Sequence, residues 1–118
     1  MYKIQNRVML SRYRGRAKCN ECSGTRLRKE ADYVKINGSS ISDLVNLPIE
    51  NVLDFFNKIK LSDSELKKCN RVITEIKNRL SFLCKVGLPY LTLNRKSNTL
   101  SGGETQRINI ATSIGSAL

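Results

Sequence analysis

Hydrophobic positions return with helical spacing through the second half of the chain and only loosely through the first. Leu66, Cys69, Ile73, Ile76, Leu80, Leu83 and Cys84 recur every three or four residues. That interval stacks side chains on one face of a long amphipathic helix. Ser62, with Glu65 three residues on, forms a capping box at its start. Gly87 can end it in a left-handed cap, with Pro89 two residues beyond. A shorter helix precedes it. Pro48 suits a first helical position with Glu50 close behind, and Val52, Leu53, Phe55, Phe56 and Ile59 carry the spacing through about Ile59. A last helix runs from about Glu104 toward the C-terminus, with Ile108, Ala111, Thr112 and Gly115 as its packing side.

Before residue 48 the period changes. Ala31 to Ile36 alternates and carries β-formers, which predicts a strand, and Asn37-Gly38 is a turn signal. Ser39-Ser40-Ile41 follows as a short return strand, unless Ser42 or Asp43 caps a single helical turn there. The opening segment, through about Lys29, has weak periodicity and reads as extended or irregular chain around a cysteine pair. The expected fold is α+β and mostly helical, with a small β-hairpin and a Cys-x-x-Cys knuckle. Residues 1–30 form a basic segment and 31–118 the folded module.

At 118 residues and 40% apolar content the chain fits one small domain with a modest core. No run approaches the roughly 20 apolar residues a bilayer span needs, and Tyr2 to Arg7 is too polar for a secretory core. A cytoplasmic protein without a membrane partner is therefore expected. The net charge is +11, and residues 1–29 hold nine Lys/Arg against one acid, Glu21. That concentration suits nucleic-acid phosphates, and equally a solvated face or a patch matched to acidic neighbours. In an extended segment Arg12, Arg14 and Arg16 would share one side, with Lys18 close by and Tyr13 facing away. Guanidinium forks there would grip DNA phosphates without reading sequence.

Cys19 and Cys22 have the spacing that lets two thiolates hold one Zn²⁺ from a tight knuckle. One pair is half a tetrahedral site, so the alternative is a knuckle-like turn with reduced thiols. A redox pair fits less well, because no strand-then-helix context surrounds it. Cys69 and Cys84 are roughly 22 Å apart along their helix at 1.5 Å per residue, too far to join one metal. They are expected in the core as small hydrophobes.

The most specific chemistry lies at Leu100-Ser101-Gly102-Gly103-Glu104-Thr105-Gln106-Arg107. Ser101 is a natural N-cap, and the helix N-terminus after it suits an anion. Read alone, this is a capped loop. The full string Leu-Ser-Gly-Gly-Glu-x-Gln-Arg, however, resembles the signature motif of ABC ATPases. Tyr90-Leu91-Thr92-Leu93-Asn94-Arg95 ahead of it, Ile114-Gly115-Ser116-Ala117-Leu118 after it, and the upstream Cys19-Asn20-Glu21-Cys22-Ser23-Gly24-Thr25-Arg26-Leu27-Arg28 narrow the likeness. In this order they resemble the UvrA family, specifically the signature domain of the first ABC half.

The resemblance implies that Ser101, Gly102 and Gly103 contact the γ-phosphate of ATP, with Mg²⁺, held by the opposite ABC half, while Glu104 and Gln106 position the loop or open the helix. It favours zinc at Cys19 and Cys22, with a second pair upstream. It further implies nucleotide excision repair of DNA damage within an excinuclease and the SOS response, with DNA and UvrB as partners and a homodimer of the intact protein. The chain contains no Gly-x-x-x-x-Gly-Lys-Ser/Thr loop, no Walker B strand and no histidine. It is therefore expected to be part of a larger ATPase and inactive alone. Three other readings share some of these features. A zinc-knuckle nucleic-acid-binding module leaves the signature string unexplained. A UvrA-like drug-resistance paralogue fits the same string. An interaction module would dock a partner through Ile73, Ile76, Leu80 and Leu83. A phosphate loop upstream would separate the ATPase reading from the first and third.

Overall fold

The computed structural model describes residues 3–15 and 17–116. It is α+β and mostly helical, with one two-stranded antiparallel sheet. Helix α1 (Ile4–Arg12) is followed by an irregular segment holding the cysteine pair and a 3-10 turn (Lys29–Tyr33). A hairpin of β1 (Lys35–Ile36) and β2 (Ser39–Ser40) leads directly into α2 (Ile41–Asn46). Then come α3 (Ile49–Lys58), α4 (Asp63–Lys85), a second 3-10 turn (Ser97–Thr99) and α5 (Gly102–Ser116).

Helix α4 forms where its periodicity predicts, and both caps are as expected. Glu65 Oε2 accepts from Ser62 N–H at 2.9 Å and from Ser62 Oγ at 2.7 Å. At the other end Gly87 takes φ +82°. Gly87 N–H donates to Cys84 O and Leu88 N–H to Leu83 O, each at 3.0 Å. This pair of bonds satisfies two otherwise orphaned carbonyls and turns Leu88 inward. Leu88 is fully buried and meets Ile49, Val52, Leu80 and Leu91 in the core. Ile76, Leu83 and Cys84 pack against that cluster. The α4 stripe is thus spent on the core over its second half, so Leu80 and Leu83 are not a free docking surface. Helices α3 and α5 both pack against α4.

Several local expectations are corrected. Residues 4–12 are helical rather than irregular, because Ile4 to Arg12 contains no breaker and several good helix formers. Ala31 to Tyr33 belong to the 3-10 turn, and the strand is only Lys35–Ile36, paired in the register Lys35↔Ser40 and Ile36↔Ser39. Asn37 (φ +48°) and Gly38 (φ +82°) make the turn between the strands, the two left-handed residues a tight hairpin requires. The cap of α2 is Ser40, not Ser42 or Asp43. Asp43 N–H donates to Ser40 Oγ, and Asp43 Oδ2 accepts from Ser40 N–H at 2.9 Å.

Pro48 precedes α3 as its N-cap with φ −55° and ψ 145°, one position earlier than predicted. Its side chain offers no acceptor, so the loop after α4 supplies two. Ile49 N–H donates to Leu91 O at 2.9 Å and Glu50 N–H to Pro89 O at 3.2 Å. Cys69 is exposed rather than buried, because α4 residues join the core cluster only from Ile76 onward. Cys84 is half-buried as expected, and burial pushes its thiol above the ordinary value, with Glu50 adding to the effect.

Candidate functional site

The loop from Leu88 to Leu100 connects the core to the Ser-Gly-Gly segment. Its first turn is bolted down by buried Leu88 and Leu91 and by the two carbonyls that cap α3. Ser101 then caps α5, as its sequence context predicts. Glu104 N–H donates to Ser101 Oγ at 3.2 Å, and Glu104 Oε2 accepts from Ser101 N–H at 2.8 Å. This reciprocal box was legible as Ser-x-x-Glu. Helix α5 begins at Gly102, two residues before the predicted Glu104. Of its packing residues Ala111 is buried, Ile108 and Gly115 are half-buried, and Thr112 is exposed.

Ser101, Gly102, Gly103 and Gln106 are all exposed, while Glu104 is half-buried. Among the described residues neither the Gly102 nor the Gly103 N–H finds an acceptor. A Cβ built on either glycine would meet nothing within 4 Å. The loop therefore presents two free donors at the positive end of a 15-residue helix, with open space in front.

Glu104 has partners that the sequence did not reveal. Tyr90 Oη donates to Glu104 Oε1 at 3.0 Å, and Arg95 Nη2 lies 3.9 Å from Oε2. The bond from Ser101 N–H, then that from Tyr90, holds the Glu104 carboxyl below its usual range. The same bond to Glu104 pushes the Tyr90 phenol up. No local pattern ties residue 90 or 95 to residue 104, so only the folded loop brings them together. Arg107 lies beside Gly87, its Nη1 3.5 Å from the Gly87 carbonyl.

The cysteine pair lies in a separate knuckle. Ser23 N–H donates to Cys19 O and Thr25 N–H to Cys22 O, both at 2.8 Å. Ser23, Gly24 and Arg26 take positive φ. That winding aims the Gly24 and Arg26 N–H groups at the Cys22 sulfur, which lowers its thiol below the ordinary value, with a smaller contribution from Cys19. A stabilised thiolate is what metal binding needs. Among the described residues no group of three or more His, Cys, Asp or Glu is placed to share a metal, so the donor set fits half a zinc site. The knuckle is tied to the loop by Arg26, whose Nη2 donates to Asn94 Oδ1 at 2.6 Å and Asn94 O at 3.0 Å.

The basic residues do not form the extended row expected of them. Arg12 is the last residue of α1, Arg14 follows in irregular chain, and Arg16 lies outside the described residues, as do Ala117 and Leu118. Arg12, Arg14 and Lys18 are exposed. No helix among the described residues is long and apolar enough to cross a membrane.

No protein-family model matches the chain. Among curated proteins, UvrABC system protein A of Methanothermobacter thermautotrophicus is 48% identical over 112 residues, which is 95% of this chain and 12% of its own length. The Staphylococcus epidermidis protein of the same name is also 48% identical over the same coverage, and a Staphylococcus aureus one is 46% identical. The chain thus spans about 12% of the length of the curated relatives it matches. Among solved structures, the crystal structure of UvrA2 from Deinococcus radiodurans superposes with a TM-score of 0.63 at 36% identity, covering 82% of this chain and 10% of that one.

Proposed function

The chain belongs to the UvrA family, and from that premise we propose that it supplies the signature motif of the first ABC half to ATP bound by the opposite half. In this reading the intact protein is the damage-recognition ATPase subunit of nucleotide excision repair. Its partners are DNA, UvrB and a second copy of itself. The observation that carries the reading is the pair of unpartnered Gly102 and Gly103 N–H groups heading α5 on an exposed loop. Two fixed donors at a helix N-terminus can stabilise charge on a γ-phosphate without reorganising, which is how phosphoryl transfer is assisted. Ser101 Oγ accepts the Glu104 cap bond, which holds the serine at the head of the loop.

The chain's own 118 residues contain no phosphate loop, so the segment alone is expected not to turn over ATP. Cys19 and Cys22 would supply two of four zinc ligands, the other two coming from elsewhere in a full-length protein. Bound zinc would rigidify the knuckle and, through Arg26 and Asn94, anchor the loop beside it. The exposed Arg12, Arg14 and Lys18 support a DNA-phosphate contact by charge alone.

The test is ATP-dependent crosslinking in a full-length UvrA-family protein carrying this segment. A Ser101→Cys variant is paired with a cysteine in the opposite half's phosphate loop, on a background without reactive surface cysteines. Crosslinking that rises with a non-hydrolysable ATP analogue is the expected result. Yield independent of nucleotide would leave Ser101-Gly102-Gly103 as a helix cap and refute the reading.

A further inference from the structure

We propose that Tyr90 and Arg95 are positioning residues for ATP turnover, acting through Glu104 to hold the Ser101-Gly102-Gly103 backbone in its donating orientation. This rests on the reading that the loop faces the γ-phosphate.

Among the described residues three serine–carboxylate capping boxes serve as internal controls for one another. In the first, Asp43 hydrogen-bonds only Ser40, and in the second, Glu65 only Ser62. The third is different. Glu104 accepts from Ser101 N–H at 2.8 Å and from Tyr90 Oη at 3.0 Å, and it has Arg95 at 3.9 Å. Its side chain is only 12% exposed. A helix cap needs no outside hydrogen bond to its carboxylate, since the other two boxes close without one.

Both outside partners stand on fixed chain. Tyr90 lies between buried Leu88 and Leu91, in the turn whose carbonyls cap α3. Arg95 Nη2 donates to Thr99 O at 2.9 Å and its Nε to Thr99 Oγ1 at 3.3 Å, which stiffens the approach to the loop. The carboxylate therefore cannot rotate freely, and Ser101 N–H must point at it. That fixes the Leu100–Ser101 peptide plane, and the Thr105 N–H bond to Ser101 O holds the next plane, which carries the Gly102 N–H. Two adjacent glycines would otherwise leave this backbone loose. The clamp also manages charge. A carboxylate beside a phosphate site repels the ligand, while a phenol donor at Oε1 and a guanidinium near Oε2 offset its negative charge.

The experiment uses a full-length UvrA-family protein carrying this segment, with Tyr90→Phe, Arg95→Gln and Ser101→Ala variants compared by steady-state ATPase kinetics. Phenylalanine keeps the ring and removes only the donor. Each clamp variant is expected to lower kcat by about threefold to tenfold while KM stays within about twofold, since the opposite half's loops bind ATP and the signature backbone engages in the transition state. In parallel, the Ser101 amide proton of the 118-residue chain is followed by NMR through acid titration. Its midpoint is expected to rise in Tyr90→Phe as the Glu104 carboxyl loses a donor. Impaired turnover in Ser101→Ala with normal kcat in both clamp variants would overturn this proposal alone. Normal turnover in Ser101→Ala would overturn the signature-loop reading and this proposal with it. A lowered melting temperature with unchanged kcat and an unmoved titration would assign Tyr90 and Arg95 to stability only.

Discussion

Replacing Gly87 with alanine is expected to lower the melting temperature of this chain by about 4–8 °C, at roughly 4–8 °C per kcal/mol for a small domain. Gly87 adopts φ +82° to close the end of α4, and alanine pays about 1–2 kcal/mol to enter the left-handed region. Stiffening the unfolded chain offsets about 0.4–1 kcal/mol of that. The new Cβ would lie 3.3 Å from Arg107 Nη1, the far end of a flexible side chain that can swing aside. Its departure forfeits only the long 3.5 Å contact to Gly87 O. The net is about 1 kcal/mol, all of it from backbone conformation. That origin predicts an order as well as a size. Asparagine tolerates the left-handed region and should cost less than alanine, and β-branched valine should cost more. Calorimetry on the 118-residue chain and its three variants at pH 7 measures this directly. Alanine matching or exceeding the wild-type melting temperature would refute the reasoning. So would asparagine proving worse than alanine, because then something other than φ would be setting the stability. The stakes reach beyond α4, since the same cap turns Leu88 into the core and so fixes the turn that carries Tyr90.

Two further expectations follow from charge. Binding of the chain to duplex DNA should weaken steeply with salt, and Arg12→Gln/Arg14→Gln/Lys18→Gln should flatten the log–log slope by about 2 to 3 if all three meet phosphates. Fluorescence anisotropy across a salt series gives that slope, and an unchanged value would remove these residues from any DNA interface. In acid, the Asp43, Glu65 and Glu104 carboxyls are all held below their usual range by cap hydrogen bonds, from Ser40, Ser62 and Ser101 respectively. A carboxyl depressed in the fold stabilises it fully above its unfolded pKa of about 4 and loses that contribution as pH falls through the folded value. Melting temperatures should therefore drop below about pH 5, and more shallowly in Glu65→Gln. Equal steepness in the variant would show that the Ser62 cap bonds do not persist in solution.

Much of this architecture is written in short-range pattern. Helix α4, its Ser62 and Gly87 caps, the Asn37-Gly38 turn and the Ser101 cap each depend on groups within about four residues, so spacing and residue type suffice to read them. The Leu100 to Arg107 string, together with its flanking segments and the upstream Cys19 to Arg28 block, likewise points to the family without coordinates. The errors lie where the local signal was weak or ambiguous. Helix α1 has no cap or clean apolar stripe to announce it. The alternation from Ala31 to Ile36 divided between a 3-10 turn through Tyr33 and a strand in which only two residues find a partner.

What the chain alone could not settle are the contacts between distant segments. Pro48 cannot cap α3 with its side chain, and the sequence is silent on what does, because the acceptors are carbonyls of Pro89 and Leu91. Cys69 and Cys84 share one stripe, but tertiary packing covers only the second. Tyr90 reaches Glu104 across 14 residues and Arg26 reaches Asn94 across 68. Periodicity and caps record the geometry of a single helix, whereas those pairs exist only once the Leu88–Leu91 turn has buried its leucines against α3 and α4. Local pattern thus determined α3, α4, α5 and the Ser101-Gly102-Gly103 segment that heads α5. Burial of that one turn decided which side chains stand around the loop and hold it.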